Sequence, residues 1–178
     1  SPFTTSTLQQ QSSHKLGYSA KQTMRLAQQL YEGIKAGDDD ATGLITYMRT
    51  DSVNLSEKFV NETNEFLKTS FGDKYILDKV RTFKNKSKGA QEAHEAIRPT
   101  DPAKTPESLE AHLDPQQLKL YSLIWKRAVA TQMTEARLNK TNFDITAKKY
   151  LFRATGQSMV FDGWLKLYPE QVKEEMLP

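Results

Sequence analysis

Several residue types and segments are missing from this 178-residue sequence. It has no cysteine, which excludes disulfides, thiol catalysis and cysteine-based metal sites, and fits a reducing cytosol. No stretch approaches the roughly 20 consecutive apolar residues of a membrane-spanning helix. The first twenty residues are rich in serine, threonine and glutamine, without the apolar core of a signal peptide. We therefore expect no membrane partner and a cytoplasmic location.

The sequence also lacks a strong excess of one charge, since 25 Lys and Arg residues oppose 22 Asp and Glu residues, a net +3. The basic residues are concentrated: residues 79–88 contain five and no acid, and residues 119–153 contain eight against two acids. Such stretches indicate either a surface that meets a polyanion or an ordinary solvated face. A hydrophobic content of 37% and an aromatic content of 10% are typical of a globular domain with its own core.

Helical patterns cover the N-terminal third of the sequence. Residues 4–16 predict a short polar helix that ends at Gly17. Ser19 caps a second helix, and Tyr31 falls on its stripe of regularly spaced apolar residues. A helix, a glycine-containing turn and a second helix resemble a helix-turn-helix unit.

Two more helices are predicted further along the chain. Asn54 caps the first of them, and Gly72 closes it. The second starts at Asp114, which is followed by proline at the first helical position, and its core stripe includes Trp125.

Strand patterns occur in two places. Residues 44–50 are rich in β-branched and aromatic side chains and predict a strand with Ile45, Tyr47 and Arg49 on one face. After residue 139 the apolar residues alternate, which predicts a strand pair around a turn at residues 156–158. Because a lone hairpin is marginal in water, we expect these strands to pack on the helices or to join a larger sheet.

A short helix is predicted over residues 90–98, stopped by Pro99. Its polar face carries four residues at spacings of three and four: Gln91, His94, Glu95 and Arg98.

Two groups of side chains suit chemistry on a phosphodiester: Tyr47 with Arg49, and His94 with Arg98. A phenol has a pKa of about 10, so it needs help to lose its proton and a nearby cation to favour its anion. An arginine presents a planar donor fork that matches two phosphate oxygens, and a histidine moves protons near neutral pH. Each residue taken alone is more typical of packing or of a structural surface role.

Metal sites are not predicted. Asp38, Asp39 and Asp40 lack the ligand spacing of a calcium loop and indicate a solvated acidic loop. His94 and Glu95 begin an H-E pair, but the second histidine of the zinc motif H-E-x-x-H is missing.

The exact amino-acid sequences of several segments are more specific than the spacing of the candidate residues. These segments are PFTTSTLQQ (2–10), GLITYMRTDS (43–52), QEAHEAIRPT (91–100), LYSLIWKRAVATQM (120–133) and VFDGWLKLY (160–168). In this order they resemble the type IA DNA topoisomerases of bacteria over nearly the whole chain.

The resemblance implies a role for each candidate residue. Tyr47 would be the nucleophile that forms a covalent link to the 5′ phosphate of a cut single strand. Arg49 would contact the scissile phosphate, and His94 would assist at the same phosphate. Gln91 and Arg98 would contact DNA or support the site.

The resemblance also implies an architecture and a setting. The fold would be mainly α with a small β component. Residues 1–140 would form a helix-turn-helix-like domain, related to winged helices, that carries the tyrosine, and residues 141–178 would be strands that return to a β-rich hinge domain. The acidic cluster that holds Mg²⁺ in the family is not found in this sequence, so we expect the chain to be part of a larger enzyme and to bind no cofactor itself.

The expected partners are single-stranded DNA, negatively supercoiled duplex DNA and other domains of the same polypeptide, in the bacterial cytoplasm near the nucleoid. The expected reaction is ATP-independent relaxation by strand cleavage, passage and rejoining. We expect the chain alone to be inactive.

Two alternatives belong to other classes. A helix-turn-helix module that only binds DNA would not require the pairing of Tyr47 with Arg49. A tyrosine recombinase also uses arginine, histidine and tyrosine, but it usually places the tyrosine after the histidine, whereas Tyr47 precedes His94.

Overall fold

The computed structural model describes residues 1–33, 42–83 and 94–169. Within these ranges the fold is mainly helical with one antiparallel hairpin, which confirms the expected fold class. The helices and strands are α1 (Thr5–Leu16), α2 (Ala20–Glu32), α3 (Glu57–Phe71), α4 (Pro115–Ala130), β1 (Arg137–Ala147) and β2 (Tyr150–Phe161). Three short 3₁₀ turns are added at Asp73–Tyr75, Glu107–Leu109 and Gly163–Lys166.

The predicted helix ends follow from local capping. Gly17 ends α1 in the left-handed conformation, with φ of 71°, and the Ser19 side chain accepts a hydrogen bond from the Gln22 N–H to begin α2. Asp114 begins α4 with a reciprocal capping box, in which its carboxylate accepts from the Gln117 N–H at 2.9 Å. The predicted boundaries are therefore confirmed. They could be predicted from sequence because the capping residues lie within a few positions of each helix end.

One cap differs from the prediction. Ser56, and not Asn54, is the N-cap of α3, and its hydroxyl accepts from the Phe59 N–H. Asn54 instead offers its carbonyl to the Ala96 N–H at 2.8 Å, so the chain stays extended for two residues longer. Gly72 ends α3 as predicted.

The core lies between α1, α2 and α4, which pack against one another. Two polar groups of α4 are buried there with partners. The Trp125 indole N–H donates to the Pro102 carbonyl at 2.9 Å, and the Tyr121 hydroxyl donates to the Lys104 carbonyl at 2.6 Å. These bonds tie the irregular segment after residue 100 to the helical core.

The predicted strand over residues 44–50 is wrong. Only Ile45 pairs as a strand residue, in a single antiparallel bridge with Pro99. The ladder stops because proline has no N–H and because the Thr46 hydroxyl takes ladder positions, donating to the Ala96 carbonyl and accepting from the Arg98 N–H. Ile45 is buried and does not share the exposed side of Tyr47.

The predicted helix over residues 90–98 is also wrong where the structure describes it. Residues 94–98 have no helical turn, and their backbone bonds go to other segments: the Ile97 N–H donates to the Phe3 carbonyl at 2.8 Å. Pro99 disfavours a helical conformation at Arg98, and these long-range bonds outweigh the helical spacing of the sequence. The first part of the prediction, including Gln91, lies outside the described residues.

The hairpin turns at a different point than predicted. The connection between β1 and β2 is Lys148 and Lys149, with Lys148 at a φ of 55°, whereas Gly156 lies inside β2 opposite Thr141. The long hairpin pairs Ile145 with Phe152 across the strands, and such cross-strand contacts favour the observed register over a turn at Gly156.

One face of the hairpin is apolar and exposed. Alternation along the paired strands puts Phe143, Ile145, Tyr150 and Phe152 on a common face, and each of these side chains is more than half exposed. The opposite face carries the Asp144–Arg153 ion pair, in which Arg153 holds the pKa of the Asp144 carboxyl below its usual value. No described helix is both long and apolar enough to cross a bilayer.

Candidate active site

Tyr47 lies on an irregular segment, residues 42–50, that is anchored against the C-terminal end of α2. The Leu44 N–H donates to the Leu30 carbonyl at 2.8 Å, which fixes the start of this segment against the helix. Met48 is buried beneath it, while Tyr47 is 43% exposed and Arg49 is also exposed. The two side chains predicted to meet a phosphate are therefore open to solvent on a backbone anchored by its buried neighbours.

The N-terminal end of α1 fixes the other side of the segment. The Thr5 hydroxyl donates to the Met48 carbonyl at 2.7 Å and accepts from the Thr50 N–H at 2.8 Å. The Thr5 N–H also donates to the Thr50 carbonyl at 2.8 Å. The hydrogen bonds that Thr5 makes thus hold the backbone on both sides of Arg49.

The segment that carries His94 lies directly beside the segment that carries Tyr47. The Thr46 N–H donates to the Arg98 carbonyl at 2.9 Å, and the Thr46 hydroxyl donates to the Ala96 carbonyl at 2.7 Å. His94 is exposed and precedes Ala96 by two residues, a span of at most about 7 Å along the chain. Thr46 therefore joins the two segments next to the predicted nucleophile.

Arg98 points into the protein. Its side chain is 11% exposed and forms an ion pair with Glu95. The guanidinium also donates to the Pro99 carbonyl at 2.9 Å and to the Ser56 hydroxyl at 3.2 Å, and it lies 4.7 Å from the Phe59 ring centre. These contacts favour site support over direct DNA contact for Arg98, because its donors already have protein partners.

One aromatic neighbour of Tyr47 was not among the predicted site residues. The Tyr31 ring, at the end of α2, meets the Tyr47 ring edge to face, with centroids 5.4 Å apart and planes at 68°. The helical spacing predicts Tyr31 on the core stripe of α2, but the side chain is 40% exposed. The contact is not predictable from the sequence, because residues 34–41 separate the two motifs.

The described part of the site contains no cluster of possible metal ligands. Across residues 1–33, 42–83 and 94–169, no three His, Asp or Glu side chains come together as possible ligands. Asp38, Asp39, Asp40 and Gln91 lie outside the described residues.

A second candidate surface lies at the C-terminal end of α1, whereas the segment of Tyr47 meets the N-terminal end. A groove of about 1050 Å³ runs between the end of α1, α4 and the segment after β2. Its lining includes the basic side chains of His14, Lys15, Lys119 and Lys126 and the acidic side chains of Glu107 and Glu110. Lys15 stacks over the Tyr168 ring, with Nζ 3.8 Å from the ring centre. Cations beside an aromatic ring suit contact with nucleic acid.

Known proteins are similar to this chain over nearly all of its length. The family model described as DNA topoisomerase matches residues 1–178. DNA topoisomerase 1 of Xylella fastidiosa (strain 9a5c) is 49% identical over 170 residues, covering 95% of this chain and 21% of the relative. DNA topoisomerase 1 of Rickettsia conorii is 47% identical over 176 residues, covering 98% of this chain and 23% of the relative.

A solved structure has the same fold. Full-length topoisomerase I from Thermotoga maritima superposes with a TM-score of 0.85 at 40% identity, covering 99% of this chain and 28% of that protein. The chain thus spans between a fifth and a third of the length of these relatives. The family match over all residues, together with relatives that share nearly half of the sequence, shows that this chain belongs to the DNA topoisomerase family.

Proposed function

We propose that this chain is the tyrosine-bearing part of a type IA DNA topoisomerase, and that Tyr47 is its nucleophile. The observation that carries the proposal is the exposed Tyr47 on a segment that Thr46 hydrogen-bonds to the segment of His94. A module that only binds DNA would not require the exposed Tyr47 and Arg49 to lie beside the segment of His94.

The proposed reaction is a reversible transesterification. The Tyr47 phenol oxygen attacks the phosphorus of a single strand and loses its proton, and a new bond forms between that oxygen and the 5′ phosphate. The 3′ oxygen leaves and takes up a proton. Because one phosphodiester replaces another, the bond energy is kept in the phosphotyrosine and no ATP is needed.

The other side chains would act on charge and protons. Arg49 would hold two phosphate oxygens in its donor fork as negative charge builds up. His94 would donate a hydrogen bond to the phosphate or carry a proton at neutral pH. Arg98, with Glu95 and Ser56, would support the segment of His94. Gln91 would then be the remaining candidate for DNA contact.

The larger enzyme would supply what the described residues do not. We assign magnesium binding and most of the grip on single-stranded DNA to parts of the relatives that this chain does not match. Residues 1–140 would be the tyrosine-bearing domain, and residues 141–178 would return to a β-rich hinge domain. The exposed apolar face of the hairpin is consistent with packing against further strands. The setting would be the bacterial cytoplasm near the nucleoid, with negatively supercoiled DNA as substrate.

The test compares relaxation with binding in the full-length enzyme that includes this chain. We expect Tyr47→Phe to abolish relaxation of a negatively supercoiled plasmid while binding of a single-stranded oligonucleotide stays within about twofold, because only the phenolic oxygen is lost. Arg49→Lys should slow relaxation, because a point charge replaces a bidentate fork. Full relaxation by the Tyr47→Phe enzyme would refute the proposal.

The isolated chain gives a second comparison. We expect it to bind single-stranded DNA weakly, with an affinity that falls as salt rises, because only a few basic residues meet phosphates. We also expect no cleavage with or without magnesium. The rival binding module, favoured by the helix pair α1–α2 and by the lysines of the groove beside α4, predicts tight binding by the chain alone and no effect of Tyr47→Phe in any assay.

A further inference from the structure

We infer that Tyr31 positions the ring of Tyr47, so that the nucleophile is held by an aromatic contact from α2 as well as by its own backbone. The catalytic part of this inference rests on the proposed function of Tyr47. The geometric part stands on the contact between the two rings, which have centroids 5.4 Å apart in an edge-to-face arrangement. This spacing lies within the range that aromatic pairs prefer.

The Tyr47 ring needs such a contact because it is exposed. Tyr47 is 43% exposed, so much of its ring lacks neighbours that would restrict rotation about its side-chain bonds. A nucleophile must be held close to the geometry of attack, since misplacement by about 1 Å is costly to rate. An edge-to-face neighbour restricts the ring without covering the hydroxyl, which a fully buried site would do.

The backbone shows how closely the two elements approach. A Cβ atom on Gly43 would lie 2.5 Å from the Tyr31 carbonyl oxygen, so only glycine permits this approach without a shift of the backbone. The adjacent Leu44 N–H donates to the Leu30 carbonyl at 2.8 Å, and the Gly43 carbonyl accepts from the Thr100 hydroxyl at 2.8 Å. The end of α2 is therefore fixed against the segment four residues before Tyr47.

The ring, and not the hydroxyl, carries this role. Tyr31→Phe keeps the ring and is the matched control, whereas Tyr31→Leu keeps an apolar side chain of moderate size and loses the aromatic edge. Because Tyr31 is 40% exposed, neither substitution leaves a large cavity, and circular dichroism and thermal unfolding verify that each variant folds. Tyr150→Leu removes a tyrosine that is 59% exposed on the hairpin and controls for a general loss of an aromatic residue.

The first measurement does not depend on catalysis. In the 178-residue chain, labelled tyrosine rings are observed by ¹³C–¹H NMR, with the Tyr47 signals assigned from Tyr47→Phe. We expect Tyr31→Leu to move the Tyr47 ring signals, because the ring current of Tyr31 is lost, and Tyr31→Phe and Tyr150→Leu to leave them in place. Tyr47 signals that do not respond to Tyr31→Leu would overturn the inference, whatever the fate of the proposed reaction.

The second measurement separates positioning from DNA binding in the full-length enzyme. At saturating single-stranded oligonucleotide, we expect Tyr31→Leu to slow single-turnover formation of the covalent adduct by roughly two- to tenfold, the range that one aromatic pair supports. Oligonucleotide affinity should stay unchanged, and Tyr31→Phe should react like the native enzyme. An effect seen only in affinity would mean that Tyr31 stacks a base, and equal damage from Tyr31→Phe would mean that its hydroxyl acts; either result overturns the positioning role.

Discussion

Replacing Arg98 with methionine is the sharpest test of how the segment of His94 is held. The substitution keeps a long apolar stem and removes the guanidinium. It deprives Glu95 of its ion-pair partner, the Pro99 carbonyl of a donor at 2.9 Å and the Ser56 hydroxyl of a donor at 3.2 Å. The guanidinium contact with the Phe59 ring is lost as well, while the apolar stem of the side chain is kept, so the expected loss is mainly electrostatic.

The size of the effect follows from burial. Arg98 is 11% exposed and Glu95 is 34% exposed, so the pair is only partly shielded from water. Breaking a fully buried pair costs about 3–5 kcal/mol, and a hydrogen bond to a charged group contributes about 1.5–3 kcal/mol. We expect Arg98→Met to lower the free energy of unfolding by about 2 kcal/mol, a fall of roughly 4–8 °C in Tm for a chain of this size.

The assay is urea unfolding followed by circular dichroism, with Lys58→Met as the control. Lys58 pairs with Glu62 on the surface of α3, where the two side chains are 84% and 39% exposed, so its loss should cost at most about 0.5 kcal/mol. Adding Glu95→Gln to Arg98→Met should recover part of the loss, because no unpaired carboxylate then remains. An Arg98→Met variant as stable as the Lys58→Met variant would refute the reasoning.

Three further predictions concern the core and its pH dependence. Trp125→Phe should cost about 1–3 kcal/mol in urea unfolding, because the buried Pro102 carbonyl loses the indole N–H. Asp114→Ala should cost about 1 kcal/mol by the same measurement, because two N–H groups at the start of α4 lose their acceptor; Asp114→Asn should retain most of the stability. Burial, and to a smaller extent the charge of Asp101, raises the pKa of Tyr121, so the folded state keeps a proton that the unfolded state releases above about pH 10. Stability should therefore hold below pH 10 and fall as the pH rises further, and urea midpoints should show a shallower fall for Tyr121→Phe; an equal slope in both proteins would contradict this.

The sequence predicts the helices well because their boundaries depend on nearby residues. Gly17, Ser19, Gly72 and Asp114 each act within one turn of a helix, through φ or through a cap hydrogen bond. The family resemblance likewise depends on contiguous sequence motifs. Helix caps and contiguous motifs can both be recognised without knowledge of the tertiary structure.

The irregular segments were predicted poorly because their hydrogen bonds join distant residues. Thr46 hydrogen-bonds to Ala96 and Arg98, which are 50 and 52 positions away. The local sequence around Thr46 does not reveal that its hydroxyl takes the place of backbone ladder bonds. The same limit applies to Tyr31, whose ring meets Tyr47 because Leu44 is hydrogen-bonded to the end of α2. Tyr47 and Arg49 are exposed on either side of buried Met48, as an extended segment predicts, but Ile45 on the same predicted face is buried.

The most direct test of the central claim is to locate the covalent bond. The full-length enzyme is incubated with a single-stranded oligonucleotide labelled at its 3′ end, the adduct is denatured and digested with trypsin and nuclease, and the modified peptide is sequenced by mass spectrometry. Cleavage after Lys35 and Arg49 gives a peptide of residues 36–49, in which Tyr47 is the sole tyrosine. We expect a nucleotide 5′-phosphate on Tyr47 and none in the Tyr47→Phe enzyme. A nucleotide attached to any other residue would contradict this expectation.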